Sequence, residues 1–515
     1  MRKHISLKDW NVILNLTGSI IYYFGFTMII PVVLALFLKE YNTLIDFSIG
    51  FLLCFIVGYF LKTFFKLERE TGWIHGMSAT TISWIVVMLI GAIPYYLSGY
   101  FNSYLDACFD TMSGLTTTGL ILIQNVDHIP ISLNIWRHIL TFIGGQGIVV
   151  IALAVLPSIG GLGFKALVGE GKEERLIPNI RETGKSIWFI SLIYLFIGSL
   201  IFFFIILNMG FQPLWSIYHG FCAFMTTWST GGFSIHSQNT LYYHNFTFEI
   251  ISMLFMLLGS MNFGLHYYIW FKNKKEFFKD IEIKSLIVTC SLTSIFLIYG
   301  LLKDKIFISF MSLIRRGLFI LISGHTTTGS QTIYSIQFIN NWGAIGLIAV
   351  MIAMVFGGSS ASTAGGIKGI RIGVIFKAII LEIKKFFMPA GAVVVEKFNH
   401  LQENILTDKI VKSSAIIIIL YFIMHTVGTI AGLLNGIPPM QALFESISAG
   451  ANVGLSCGVT STLMPASLKI VYIMNMWLGR LEFIAVFVFV FLIIKCFSIS
   501  KSPSRQTNKE KINWK

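Results

Sequence analysis

The chain has 515 residues, 55% of them hydrophobic and only 12% charged, with a formal net charge of +14 and a mean hydropathy of +0.76. Soluble domains of this length carry far less apolar sequence, so the composition excludes a water-soluble globular protein and identifies an integral membrane protein. The basic excess would suit nucleic acid as well as a membrane surface, and where the charges fall decides between them.

Apolar runs of about 20 residues, the length that crosses a bilayer, lie near 11–38, 47–61, 77–97, 136–156, 187–208, 248–271, 285–302, 342–381, 414–434 and 468–495. They predict ten crossings. The first run is too long for the apolar core of a signal peptide and has no small-residue cleavage site behind it, so it is expected to remain as a mature helix. With the N-terminus inside, most of the 38 Lys and Arg residues fall in segments assigned to the cytoplasm, while 98–135, 209–247 and 435–467 carry almost none. This is the positive-inside pattern. It places both termini in the cytoplasm, with lipid as the surrounding partner and no nucleic acid. Lys272, Lys274, Lys275, Lys279 and the basic segment from Lys368 to Lys412 then face the cytoplasm, as orientation signals or as a dock for an acidic partner ring. The six cysteines are scattered singly, without metal-ligand spacing, and read as small apolar residues.

Four short polar stretches interrupt this apolar background: "TTTGL" from Thr116, "STGGF" from Ser229, "TTTGS" from Thr326 and "NVGLS" from Asn452. Aligned, they put Gly119, Gly231, Gly329 and Gly454 in one column, 112, 98 and 125 residues apart. Such intervals suit one supersecondary unit. Each unit reads as a full-length helix, a short amphipathic segment (103–115, 214–228, 310–325 or 438–450), the Thr/Gly stretch and another long helix. The short segments cannot span a bilayer and fit re-entrant helices. The expected division is a helix pair over 1–65 and repeats over 66–165, 166–280, 281–395 and 396–515, the third with a broken second helix and the fourth with a basic tail. The fold class is an all-α polytopic membrane protein, with four pseudo-symmetric repeats around one ion pore plus two extra N-terminal transmembrane helices.

Non-helical backbone at membrane depth is tolerated only where it is buried in protein or lines a watery cavity. Four such loops around one axis meet that condition. Glycine lets carbonyls approach the axis, Thr and Ser add uncharged oxygen, and rings of such oxygens replace the water shell of potassium. The negative ends of the short helix dipoles would also face the cation. One Thr-Thr-Gly alone would be an ordinary loop; four in the same setting predict a pore.

The run "GGSSASTAGG", Gly357 to Gly366, lies within 342–381, which is far too long for one crossing. Each glycine costs a helix roughly 1 kcal/mol, so a break is expected, with a tight helix crossing as the alternative. Arg480 falls inside the last span at a cost of about 2.5–3.5 kcal/mol. It either sets a positive barrier near that break or forms a structural pair with Glu482 or a loop carbonyl. Asp110 and Glu445 hold matching places in the first and fourth short helices, supporting the loop backbone, drawing cations, or standing as solvated rim charges. His219, His325 and His425 share no ligand spacing and read as structural.

The motifs "DTMSGLTTTG" (110–119), "WRHILTFIGGQGIVVIALAVLP" (136–157), "TTWSTGGFS" (226–234), "GGSSASTAGGIKGIR" (357–371), "ESISAGANVGLS" (445–456) and "MWLGRLEFIAV" (476–486) resemble those of the TrkH/TrkG/KtrB potassium uptake proteins. The likeness covers 75–495, and the apolar pair before residue 65 looks like the TrkH branch. It implies one pseudo-fourfold pore per protomer, a homodimer, and a cytosolic TrkA-type nucleotide-binding regulatory ring. It assigns potassium-binding filter segments to Thr117, Thr118 and Gly119; Ser229, Thr230 and Gly231; Thr327, Thr328 and Gly329; and Asn452, Val453 and Gly454. It also implies an intramembrane gate of Gly357, Gly358, Ser359, Ser360, Ser362, Thr363, Gly365, Gly366 and Lys368, with Arg480 beside it. By the same resemblance, glycine in all four columns matches the potassium-selective pattern and implies a preference for potassium over sodium.

No nucleophile-base pair and no Walker motif occurs, so no enzyme activity is expected, and the only bound species expected is the transported K+. Uptake would draw on the membrane potential, worth about 2.3 kcal/mol per charge per 100 mV. The alternatives are an alternating-access symporter of K+ with H+ or Na+ and the ion-conducting subunit of an ATP-driven pump.

Overall fold

The protein is described by a computed structural model over residues 7–67, 72–147, 180–271, 274–307, 309–389 and 394–500. At the N-terminus α1 (Leu7–Gly25) passes through a 3-10 turn into α2 (Ile29–Leu38), and α3 (Tyr41–Phe64) returns beside it. Pro31, which has no amide to donate, sits just past the turn and accounts for the interruption. α1 and α3 pack closely because Gly18 and Gly58 lack the Cβ atoms that would strike Leu61 and Tyr22 on the facing helix.

Four units follow. The first is α4 (Trp73–Leu97), α5 (Tyr104–Leu115) and α6 (Ile131–Gln146); the second is α7 (Ile180–Asn208), α8 (Pro213–Trp228), α9 (Phe246–Gly259) and α10 (Phe263–Phe271). In the third, α11 (Ile281–Lys303) leads through π turns at Leu313–Leu318 into α12 (Phe319–His325), then α13 (Gly343–Val355) and α14 (Gly369–Phe386). The fourth is α15 (Asp408–Leu434), α16 (Pro439–Gly450), α17 (Ala466–Arg480) and α18 (Ile484–Ser500). Short helices start where the sequence caps them: Ser103 Oγ accepts from Asp106 N, and Pro213 and Pro439 occupy first-turn positions that need no amide. Between units three and four, β1 (Lys397–His400) pairs antiparallel with β2 (Gln402–Ile405), turning at Leu401 with φ +55. This hairpin had no counterpart among the sequence expectations.

The ten expected crossings are not all straight helices. Among the described residues six helices are long and apolar enough to cross a membrane, or eight if each bent pair counts as one. The run 248–271 bends by 99° and 468–495 by 110°. At the first bend Asn262 Oδ1 accepts the Gly264 amide at 2.6 Å and starts a new helix; at the second, Glu482 and Phe483 both take positive φ, +50 and +66. The run 342–381 breaks over 356–368, where the glycines lie. Within the run 136–156 the helix ends at Gln146, and residues 148–156 lie outside the described residues, as do Lys272 and the tail beyond 500.

Trp84, Trp136, Trp228 and Trp342 are fully buried between helices, whereas Leu292, Ile295, Phe422 and Phe491 stand exposed on α11, α15 and α18. An apolar exterior over a polar-containing centre suits lipid as the solvent. Arg480 is also not alone as a buried base: Arg137, Lys368 and Lys469 are buried too. Lys469 of α17 meets Asp106 of α5 at 2.6 Å. Removing one partner of a buried pair costs about 3–5 kcal/mol, whereas replacing both is often neutral. Lys469→Met is therefore expected to lower the thermal unfolding midpoint of the purified protein clearly, and Asp106→Leu combined with Lys469→Met to recover most of the loss.

Candidate ion pathway and gate

α5, α8, α12 and α16 each end in the same way. Their last bonds run from Thr118 N to Ser113 O (2.8 Å), Gly231 N to Thr226 O (2.9 Å), Thr328 N to Ser323 O (2.8 Å) and Val453 N to Ser448 O (2.8 Å). The residue before each, Thr117, Thr230, Thr327 or Asn452, is left-handed, with φ of +56, +50, +54 and +56. This is a Schellman cap, a position usually given to glycine.

Two residues beyond each left-handed cap, Gly119, Gly232, Gly329 and Gly454 take φ of +88, +65, +82 and +91. The backbone thus corrects the alignment in the second repeat by one residue. Gly232, not Gly231, is the counterpart of Gly119, and the matching segment is Thr230-Gly231-Gly232. Ser229 belongs with Thr116, Thr326 and Ala451 at the helix end. "STGGF" offers two adjacent glycines, and only the dihedrals tell them apart.

These glycines close a cycle. A Cβ on Gly119 would stand 2.6 Å from the Gly231 oxygen; one on Gly232 would collide with the Thr328 oxygen, one on Gly329 with that of Val453, and one on Gly454 with that of Thr118. Each repeat touches the next and the fourth touches the first, so four segments surround one centre, every residue of them buried except the half-buried Gly119. Buried acids fasten the strands leaving it. Asp110 Oδ1 accepts the Leu122 amide at 2.5 Å, and Glu445 accepts from the Cys457 amide (2.9 Å), Thr460 Oγ1 (2.8 Å) and Ser456 Oγ (2.5 Å). The solvated-rim alternative for these two acids is thereby excluded. In the second repeat, where Ala223 replaces the acid, Arg137 donates to Ser234 O at 3.0 Å.

Residues 356–368 fold back on themselves through Gly357 N to Ile367 O and Ile367 N to Val355 O, both 3.1 Å. The loop rests on the α9–α10 bend, with Ser359 N donating to Ser260 O at 2.8 Å and Phe263 N to Ala361 O at 3.0 Å. Its tip reaches every left-handed cap. Thr363 Oγ1 is 3.0 Å from Thr230 Oγ1, Thr117 Oγ1 donates to Thr363 O at 3.4 Å, and Thr327 Oγ1 accepts from Gly365 N at 2.7 Å. A Cβ on Gly365 would come 2.8 Å from Asn452 Cβ. Lys368, grouped by sequence with both the cytoplasmic bases and the loop, is buried and bonds Ala364 O.

Arg480 spans the same place. It donates to Thr363 O (2.5 Å), Gly144 O (2.7 Å) and Gly145 O (3.2 Å), so of the alternatives the loop carbonyl is engaged, while Glu482 pairs with Arg371. A loop tip and a guanidinium together stand against one end of the four-segment ring, where low dielectric strengthens repulsion of a cation. The histidines serve locally: His219 Nδ1 meets Tyr243 Oη at 2.9 Å, His325 Nε2 meets Thr289 Oγ1 at 2.7 Å and His425 Nδ1 meets Ser446 O at 3.3 Å.

Residues 43–497 match the TrkH family, described as a cation transport protein. An uncharacterized cation transporter of Methanocaldococcus jannaschii is 33% identical over 94% of this chain and 96% of its own. The Trk system potassium uptake protein TrkG of Escherichia coli is 29% identical over 92% of this chain and 96% of its own. The crystal structure of the potassium transporter TrkH from Vibrio parahaemolyticus has the same fold, with a TM-score of 0.79 over 93% of this chain and 98% of that chain at 24% identity.

The corrected register is open to test. A side chain at Gly232 meets both a left-handed φ and the Thr328 carbonyl, whereas one at Gly231 has an ordinary φ and meets the side chains of Thr141 at 2.7 Å and Ser229 at 3.2 Å, with no backbone carbonyl in its way. A left-handed non-glycine residue alone costs on the order of 1–3 kcal/mol. Gly232→Ala is expected to abolish or severely impair ion flux in proteoliposomes, and Gly231→Ala to retain most of it.

Proposed function

Because this chain belongs to the TrkH family of cation transport proteins, which are transporters and not enzymes, we propose that it takes up potassium through the centre of its four-segment ring. The observation that carries this reading is the closed cycle of glycine-to-carbonyl contacts from Gly119 through Gly232 and Gly329 to Gly454. A dehydrated monovalent cation is best replaced in its water shell by several oxygens at once, and four converging segments supply them without a formal charge. The proposed filter is Thr117-Thr118-Gly119, Thr230-Gly231-Gly232, Thr327-Thr328-Gly329 and Asn452-Val453-Gly454.

The proposed gate is the loop 356–368 with Arg480. The loop tip engages the hydroxyls of the three threonine caps and packs against Asn452, and the guanidinium holds it there by the Thr363 carbonyl. Opening requires the tip to leave and the Arg480 charge to move aside. Driving force comes from the membrane potential, with both termini in the cytoplasm of a bacterial inner membrane. Lys274, Lys275 and Lys279 lie on that side and offer a contact for a cytosolic nucleotide-binding ring, and the assembly is proposed to be a homodimer.

Rubidium and sodium uptake into proteoliposomes tests the filter. The unaltered chain is expected to favour rubidium, and Gly119→Ser, which puts a side chain at a left-handed position beside the Gly231 oxygen, to lower total uptake and to reduce that preference severalfold in the flux that remains. Unchanged discrimination in the variant would remove Gly119 from the filter. Arg480→Gln tests the gate and is expected to raise uptake by roughly tenfold, the effect of losing a hydrogen bond from a charged donor, without changing the preference for rubidium.

A further inference from the structure

A cluster outside the pathway joins the loop to the cytoplasmic hairpin. Glu282, in the first turn of α11, is fully buried. Its Oε1 accepts two backbone amides, Ser360 N of the loop at 2.6 Å and Ile370 N at the start of α14 at 3.3 Å. Its Oε2 lies 3.8 Å from His400 Nδ1 at the end of β1. Asp280, which caps α11 by accepting the Glu282 amide at 2.8 Å, stands beside the same hairpin. Its Oδ2 is 3.2 Å from His400 Nδ1 and accepts the Leu401 amide at 3.2 Å. The nearest ligand atoms of the three side chains all lie within 4.8 Å of one another.

We propose that Glu282 is a positioning residue that latches the loop in its seated state, and that the hairpin 397–405 is the lever that releases it through His400. This rests on reading 356–368 as the gate. One carboxylate oxygen ties the loop's entry, at Ser360, to the helix at its exit, at Ile370. The loop cannot lift at that end without breaking a bond to a charged acceptor, which is about twice as strong as a neutral one. The hairpin is the part of this assembly that a cytosolic partner can reach: Lys397, Gln402, Glu403 and Ile405 are exposed. The imidazole of His400 faces both carboxylates. Drawing the hairpin away would take the imidazole from Glu282 Oε2 and break the Leu401 amide bond to Asp280, freeing the start of α11 and loosening the grip of Glu282 on the loop amides.

The test measures rubidium uptake by the purified full chain in proteoliposomes, with no partner present, alongside Arg480→Gln. Glu282→Ala is expected to raise basal uptake by roughly tenfold, as expected on losing hydrogen bonds to a charged acceptor. Glu282→Gln, which keeps an accepting oxygen, should fall between it and the unaltered chain, and the preference for rubidium over sodium should not change. His400→Ala, on the hairpin, should raise uptake as well and speed amide exchange over residues 359–361, which carries the test if Glu282→Ala does not fold. Uptake raised by Arg480→Gln but unmoved by a folded Glu282→Ala or by His400→Ala would overturn the latch and leave the gate standing. No rise in any variant would overturn both. A rise matched by lost discrimination would mean damage to the filter and would overturn the latch.

Discussion

An unpaired peptide group in hydrocarbon costs several kcal/mol, and a helix that stops halfway across a membrane exposes a whole turn of them. The centre of this protein consists of four such helix ends. Each is closed by the same pair of backbone bonds, and that closure forces the next residue into left-handed geometry. Glycine would take the position most cheaply, yet three threonines and an asparagine stand there, at a strain on the order of 1 kcal/mol or more each. Their side chains are the ones that meet the tip of the loop 356–368. Strain is thus retained where a polar group is needed, and the segments beyond inherit their placement from it.

The four units are alike in plan and unlike in their second long helix. In three of them a glycine lies against the last carbonyl of the short helix: Gly144 against Leu115, Gly259 against Trp228 and Gly479 against Gly450. In the third unit the helix instead ends at Val355 and the chain spends thirteen residues, 356–368, folded beneath the ring. The neighbouring bends are part of the same arrangement, since the Gly259 and Ser260 carbonyls of one and Arg480 of the other hold the loop. Symmetry supplies the centre and its local failure supplies the loop proposed as the gate.

Much of this was legible in the sequence, for reasons that differ by element. Apolar length marked the membrane helices, and four Thr/Gly interruptions at similar spacing marked the units, because few other residues are tolerated where backbone must leave a helix in lipid. The break at 356–368 was legible because glycine is the worst common helix former after proline. The bends at 260–262 and 481–483 were not: the glycines of "LLGSMNFG" (Gly259 and Gly264) and "LGRLEF" (Gly479) flank the bends rather than occupy them, and tertiary bonds to the loop do the rest. The register of Ser229 to Gly232 was ambiguous because period and composition are the same for either glycine. Glu282 gave no signal at all, being one acid in "DIEIK" at the start of a helix, where a first-turn carboxylate is expected on dipole grounds alone.

The central ring is stitched from one polypeptide, so its quarters are free to diverge. In an assembly of four identical subunits a single codon alters every quadrant together, and the smallest available step is fourfold. Here Asn452 can hold to the Thr118 hydroxyl and the Met476 carbonyl while its three counterparts remain threonine. Selection, or an experimenter, can therefore adjust the opening one side at a time.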